Sequence, residues 1–349
     1  MVEQATRQCL RTPRRMARWL ARIVSVLPVC MLAAGFAAAT SAPLHAEDTV
    51  KVRLSWKLKG EYAPLYLAQE RDYYRQAGLS VTIGEGAGAQ GALGALLQGQ
   101  EDIVVLPGIY ALSAIARGMP VKLIALYEPK APISFLSYPE KAVRVPKDME
   151  GKSIVTAVGD TTTEYLEALC SVNRVNCGNV KRVQVNGQAR TTQFLAKQVD
   201  VIGVYANNDL PMLEDTMGPN LVRMDLAQYG LTIPGLALVS SDRIIAAKRD
   251  VLARFLQATA KGFADADKDP EAGARAVAAR WPAAPKLGII TRQVKASQAA
   301  TPKPANHPLG WIDAPNVSAA LGLLKWAGQP VPDKPASTYY TNDLLAGAK

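Results

Sequence analysis

Histidine is nearly absent from this chain. Two residues in 349, His45 and His307, exclude a His-rich metal centre. A His-dependent triad would need His307, which sits in Pro304-Ala305-Asn306-His307-Pro308, away from every strand end. Cysteine is scarce too. Four residues, two of them (Cys9 and Cys30) near the start, exclude a disulfide-dense scaffold and a four-Cys zinc site in the folded part. No metal-ligand spacing is present and no carboxylate pair recurs at matched strand ends, so the residues point to no metal, no cofactor and no catalytic pair. What is plentiful is ordinary. Hydrophobic residues make up 49% and charged residues 20%, a globular balance that excludes disorder and collagen-like repeats. The length suits about two domains.

Residues 1–46 read as a signal peptide. Arg7, Arg11, Arg14, Arg15, Arg18 and Arg22 form a basic head, an apolar run extends from Ile23 to about Ala39, and Ala46 is a small residue at the cut before Glu47. The competing reading is a retained membrane anchor, because apolar character persists to Ala42. The segment holds six Arg and one acid, Glu3, so it carries +5 of the net +10. The remaining 303 residues (349 less 46) keep +5 and show no block of five like charges, which gives no indication of a nucleic-acid surface. Cys170 and Cys177 remain after cleavage. Outside the cytoplasm that pair is most simply a local disulfide, the other reading being two separate buried thiols.

The rest alternates strand and helix, twice. Val50–Trp56, Leu79–Ile83, Asp102–Leu106 and Val121–Tyr127 carry β-branched or apolar strand patterns. Between them, Pro64 opens a helix with Tyr66, Leu67, Tyr73 and Tyr74 inward, and Gly78 closes it. A second helix has Leu93, Leu96 and Leu97 inward, and a third follows Pro107-Gly108. A comparable series restarts near Gly151. Ser153–Val158, Val180–Val185 and Asp200–Val204 are strands, Thr161-Thr162-Thr163-Glu164 is a capping box with Thr161 as the cap, and a helix starts at Arg190. Alternation of this kind predicts two lobes, each a mainly parallel sheet flanked by helices, with two interlobe crossings near Ser134–Pro139 and Ile233–Ser240. The domains are therefore 1–46 signal peptide, 47–134 first part of lobe I, 135–235 lobe II, and 236–349 completion of lobe I with C-terminal helices. Val251–Phe263, Glu271–Ala279 and Ala314–Trp326 read as those helices. Ala283–Pro308 reads equally as helix or loop.

Open α/β sheets bind ligands beyond the carboxyl ends of their strands, so the strand-end residues are the candidates. Trp56 and Tyr62 offer flat apolar area, with Lys57 to meet an acid and Glu61 to meet an amine. Gly86, Ala87, Gly88, Ala89 and Gln90 form a turn whose backbone N–H groups could approach a ligand at a helix start. The turn follows the second strand and lacks the acidic partner that a dinucleotide needs, which excludes NAD. Gly108 and Tyr110 open the next helix. In the second series the candidates are Thr161, Thr162, Thr163, Gln188, Arg190, Tyr205 and Asn207, with Thr162 and Thr163 the better ligand contacts and Arg190 suited to pairing with a carboxylate or sulfonate.

Several strings resemble one known family. Leu54-Ser55-Trp56 with Ala63-Pro64-Leu65-Tyr66-Leu67-Ala68, Tyr73-Tyr74 with Ala77-Gly78-Leu79-Ser80-Val81, Gly84 to Gly88, Gly99-Gln100-Glu101-Asp102, Gly118-Met119-Pro120-Val121-Lys122 and Pro146 to Lys152 are similar to the type II periplasmic binding proteins of the thiamine-precursor, alkanesulfonate, taurine and nitrate group. The resemblance covers about Val50 to Phe263. It implies a periplasmic, monomeric solute-binding component of an ABC importer, with permease and ATPase subunits as partners. Trp56, Tyr62, the Gly86–Gln90 turn and the Thr161–Thr163 turn would line the site. Fungal pyrimidine synthases of this fold use a His and a Cys-rich motif that this sequence lacks, and pyrimidine binders tend to carry a His after the first-strand Trp, where this chain has Lys57 to Tyr62. The expected function is capture of an aromatic carboxylate, an organosulfonate or a thiamine-precursor pyrimidine by cleft closure, without catalysis. The alternatives are an enzyme on the same fold and a membrane-anchored ligand sensor.

Overall fold

The computed structural model describes residues 47–346, so the basic head, the apolar run and the Ala46 cut lie outside the described residues. The strands are β1 (Asp48–Leu54), β2 (Leu79–Gly84), β3 (Ile103–Pro107), β4 (Val121–Leu126), β5 (Ile133–Ser137), β6 (Ser153–Thr156), β7 (Lys181–Gln184), β8 (Val201–Tyr205), β9 (Val222–Asp225) and β10 (Leu236–Ser241). They form two five-stranded sheets, ordered β2-β1-β3-β10-β4 and β7-β6-β8-β5-β9. Val50, Val52 and Leu54 of β1 are buried while Lys51 is exposed, the alternation of a strand with one covered face.

Both sheets are mainly parallel, with one exception each. β10 runs antiparallel to β3 and β4, and β5 runs antiparallel to β8 and β9. Each exceptional strand arrives from the other sheet through a short link, residues 127–132 or 226–235. A link that short cannot carry the chain back past the sheet, so the strand enters from the end where the previous one left. This corrects the expected crossings. Ser134–Ser137 is not a crossing but the body of β5, and Leu236–Ser240 lies within β10. Both strands are buried along their whole length, so neither shows the alternation that would have marked it as a strand.

Other local expectations also shift. Leu97 is exposed although Leu93 and Leu96 are buried. The helix Ala89–Leu97 turns about 100° per residue, which carries a side chain next to Leu96 out of the covered face. The Tyr66–Tyr74 helix is two helices, Ala63–Glu70 and Tyr73–Gln76, parted by Asp72 at φ 57°. Thr161 does not cap its helix. Asp160 does, accepting from the Thr162 N–H at 3.1 Å. Cys170 and Cys177 form a disulfide with Cα atoms 5.6 Å apart.

The undecided tail resolves into a helix, Leu287–Ala300, followed by a loop to Asp313. The long helix Arg249–Lys268 packs across Ala63–Glu70 against the first sheet, with Tyr74 stacked on Phe255 at 5.1 Å and Tyr127 on Phe263 at 4.2 Å. Gly262 permits this crossing. A Cβ there would lie 2.2 Å from the Pro64 carbonyl oxygen and 2.8 Å from the Ala68 Cβ. Backbone cannot give way as a flexible side chain can, so Gly262→Ala should cost about 3 kcal/mol, read by chemical denaturation. An unchanged midpoint would show that the helices separate freely.

Candidate functional site

The carboxyl ends of the two sheets face each other. The loop after β1 carries Lys59 and Glu61, and the loop after β8 carries Asn207 and Asn208. Lys59 Nζ sits 5.6 Å from the centre of the Tyr205 ring. Asn208 Nδ2 donates to Glu61 Oε2 at 2.7 Å. Asn207 Nδ2 donates to Glu128 Oε1 at 2.9 Å, and Glu128 stands in the first link between the sheets. Burial raises the Tyr110 hydroxyl above its ordinary value, with Glu164 of a second-sheet helix adding to the shift and Arg117 opposing it. These contacts define a cleft with a closed inner end at the links.

On the first-sheet side, Trp56 is 38% exposed at the lip. Tyr62 is buried, and its hydroxyl is held far above its ordinary range by burial and then by the Glu61 charge. Lys57 pairs with Glu85 at 3.3 Å, and Glu61 pairs with Lys59 at 3.3 Å. The Gly-rich turn folds onto β1. The N–H of Gly86 donates to Trp56 O at 3.2 Å, and that of Gly88 to Ser55 O at 2.8 Å. A Cβ on Gly86 would meet Leu54 O at 2.1 Å, so this glycine serves close approach to β1. Ala87 and Gln90 are exposed, and Ala89 is half-buried as the first residue of its helix. Gly108 is turned elsewhere, because its N–H donates to Gly235 O at 2.6 Å in the second link.

On the second-sheet side, one carboxylate organises the turn. Asp160 accepts from the hydroxyls of Thr162 at 2.7 Å and Thr163 at 2.9 Å, and both threonines are buried. Thr161, half-buried, is the member of the trio without this engagement. Arg190 belongs to the same cluster. Its Nε lies 3.0 Å from Asp160 Oδ2, and its Nη2 donates to Thr162 Oγ1 at 3.0 Å and to the Gly203 carbonyl. Gln188 is exposed. Among the described residues the buried Tyr205 hydroxyl has no hydrogen-bond partner of good geometry, Thr161 being the side chain near it, and Asn207 is buried in the inner end.

The inner end is rich in acid. Glu61, Glu128 and Asp209 gather there around one ammonium, Lys59. Burial, then the neighbouring Glu61, pushes the Glu128 carboxyl up to about 8. Burial also raises Asp209, against the pull of Lys59. For Lys59, burial pulls the ammonium down, but Glu61, Asp209 and Glu128 together outweigh it and hold it above its ordinary value. Sequence reasoning passed over Lys59, Glu128, Asn208 and Gln293. Asn208 directly follows Asn207, which the strand-end rule did select. Glu128 had no local signal, because a single Glu beyond a strand is ordinary. Gln293 lay in the undecided tail.

A solvent-open hollow of about 460 Å³ lies elsewhere, between Asp267, Lys295, Gln298 and Lys303 of the C-terminal region, and none of the strand-end candidates lines it.

Two sheets of this topology, facing across a cleft and joined by two links, make the type II periplasmic-binding-protein fold. The chain belongs to the NMT1/THI5-like family, whose model it matches over residues 59–273. It is 22% identical to the formylaminopyrimidine-binding protein of Halalkalibacterium halodurans over 329 residues, 89% of this chain and 96% of that one. It is 25% identical to the 4-amino-5-hydroxymethyl-2-methylpyrimidine phosphate synthase of Schizosaccharomyces pombe over 229 residues, 62% of this chain and 65% of that one. Among solved structures, the alkanesulfonate-binding protein SsuA of Xanthomonas axonopodis pv. citri, bound to MOPS, superposes with a TM-score of 0.61 at 18% identity, covering 86% of this chain and 97% of that one.

Proposed function

We propose that this chain is the periplasmic solute-binding component of an ABC importer, and that its cleft closes on an uncharged or weakly basic nitrogen heterocycle of aminopyrimidine type. The observation that carries the ligand class is the charge balance of the cleft. The three cations of the loops and turns described above are already paired: Lys57 with Glu85, Lys59 with Glu61, Arg190 with Asp160. Glu128, which keeps its proton up to about 8, and Asp209, whose carboxyl is also raised, stand beside these pairs and bring no further cation. A sulfonate or carboxylate entering such a site would have to displace a carboxylate from its cation and leave that acid without a charge partner. A heterocycle bearing N–H donors meets acceptors instead. Among the described residues, the buried Asn208 Oδ1 has no hydrogen-bond partner, and the buried Tyr205 hydroxyl has none of good geometry. Trp56 at the lip and Tyr205 within would cover the ring faces. The formylaminopyrimidine-binding relative agrees with this class.

The direct test is a thermal-shift and calorimetric series with aminopyrimidines, alkanesulfonates, aromatic carboxylates and nitrate. Aminopyrimidines should raise the melting temperature and the anions should not. Stabilisation by a sulfonate alone would overturn the ligand class. Mass spectrometry after incubation should recover the heterocycle unchanged, whereas a new product would favour the enzyme reading that the fungal synthase suggests. N-terminal sequencing of the exported protein should begin at Glu47. An intact apolar segment would favour the anchored sensor.

A further inference from the structure

The helix Leu287–Ala300 is a third bridge between the two sheets, in addition to the links at 127–132 and 226–235. Its central residue, Gln293, is 1% exposed. The Gln293 Oε1 accepts from the Gly60 N–H at 3.0 Å, in the loop after β1. Its Nε2 donates to the Asn208 carbonyl at 2.7 Å, in the loop after β8. One turn on, Ser297 Oγ lies 3.1 Å from Asn207 Nδ2. One residue before Gln293, Arg292 donates to the Pro211 carbonyl at 2.6 Å, and Lys286 at the helix entrance pairs with Asp215 at 3.0 Å. The fit against the first loop is tight. A Cβ on Gly60 would lie 2.3 Å from the Gln293 Cβ, so only glycine permits this approach.

We propose that Gln293 is a positioning residue. Its carboxamide fixes the loop carrying Lys59 and Glu61 against the loop carrying Tyr205 and Asn208, so the inner end of the cleft is assembled before a solute arrives. The relevance to binding rests on the reading that a solute is held between these loops. The fixing of the loops does not depend on it. The chemistry singles out a carboxamide, because the position needs an acceptor toward Gly60 and a donor toward Asn208 in one side chain. Glutamate keeps the first and, when ionised, faces the Asn208 carbonyl with a second acceptor. Leucine fills similar space and leaves both backbone groups buried and unpaired. Preorganised loops give up less freedom on binding, which is the usual source of affinity in such a design.

The test compares Gln293→Glu and Gln293→Leu with Lys295→Ala, an exposed change on the same helix. Ligand-free protein at pH 7 is followed by hydrogen–deuterium exchange and small-angle X-ray scattering. Both Gln293 variants should raise exchange at least tenfold in residues 57–62 and in residues 205–210 together, and should increase the radius of gyration. Lys295→Ala should change neither. With 4-amino-2-methylpyrimidine as probe, the Gln293 variants should bind at least tenfold more weakly while Lys295→Ala keeps wild-type affinity. Faster exchange confined to one loop, or to the helix, with unchanged scattering would overturn the proposal. If a Gln293 variant fails to fold, Ser297→Ala supplies the milder break, and the same paired rise in exchange is required of it. Should the wild-type protein ignore the probe, the ligand class fails, and the exchange data alone still decide the role of Gln293.

Discussion

Glu128→Gln is expected to remove most of the pH dependence of stability between about pH 4.5 and 8. The Glu128 carboxyl moves from the ordinary 4.5 up to about 8 in the folded protein, through burial and then the nearby Glu61. Within that window the folded chain keeps a proton that the unfolded chain releases. Stability is therefore full below 4.5, falls as pH rises toward 8, and levels off above it, at about 1.4 kcal/mol per unit for a single group. Lys59 and the Asn207 amide moderate the loss, and the raised Asp209 adds to it in the same direction. Glutamine has nearly the same shape, can keep accepting from Asn207 Nδ2, and never ionises. The variant should match wild type near pH 5 and exceed it near pH 9 by on the order of 5 kcal/mol, read from urea midpoints across the range. Parallel profiles for the two proteins would show that Glu128 does not titrate as described. The residue lies in the link between sheets, and Gly235 of the other link approaches so closely that a Cβ there would sit 2.6 Å from Glu128 Oε2. Ionisation is therefore expected to loosen the inner end of the cleft.

Arg190→Ala should act on the protein itself. The guanidinium is the partner of Asp160, and Asp160 in turn holds Thr162 and Thr163. The Arg190 and Asp160 side chains are 17% and 7% exposed, so removing the cation leaves a carboxylate buried without its charge partner. Losses of this type run to about 3–5 kcal/mol. Arg190→Lys should not rescue it, because one ammonium cannot reproduce a planar fork that reaches Asp160, Thr162 and the Gly203 carbonyl. Asp160→Asn combined with Arg190→Ala should be less harmful than the sum of the single changes, since the stranded charge is then gone. Additive effects in that cycle would mean that the pair is not coupled. The sequence offered Arg190 as a partner for an acidic solute, and a cation at a helix start is a misfit with the helix dipole. The misfit is real, and its compensation is Asp160, thirty residues away in the chain.

Much of the fold can be read along the chain because its signals are local. Alternation in β1 and Gly78 at the end of a helix depend on a few neighbours, and so does the repeat of Gln100-Glu101-Asp102 in Gln198-Val199-Asp200. The strand-end rule then located the loops of both sheets without coordinates. Local signals ended where strands are buried on both faces. β5 and β10 lose the alternation that shows direction and solvent side, and their antiparallel entry follows from short links that no periodicity records.

The sequence by itself therefore determined the alternating β/α plan, its duplication, and the loops that meet at the cleft, since each depends on residues close together in the chain. Only the tertiary structure decided which charges cancel. Arg190 finds Asp160, Glu61 finds Lys59 and Asn208, and Gln293 reaches Gly60 from 233 residues away. Burial then sets what each group can do. A carboxylate or a guanidinium has no fixed role until its partners and its distance from water are known, and both are properties of the packed molecule.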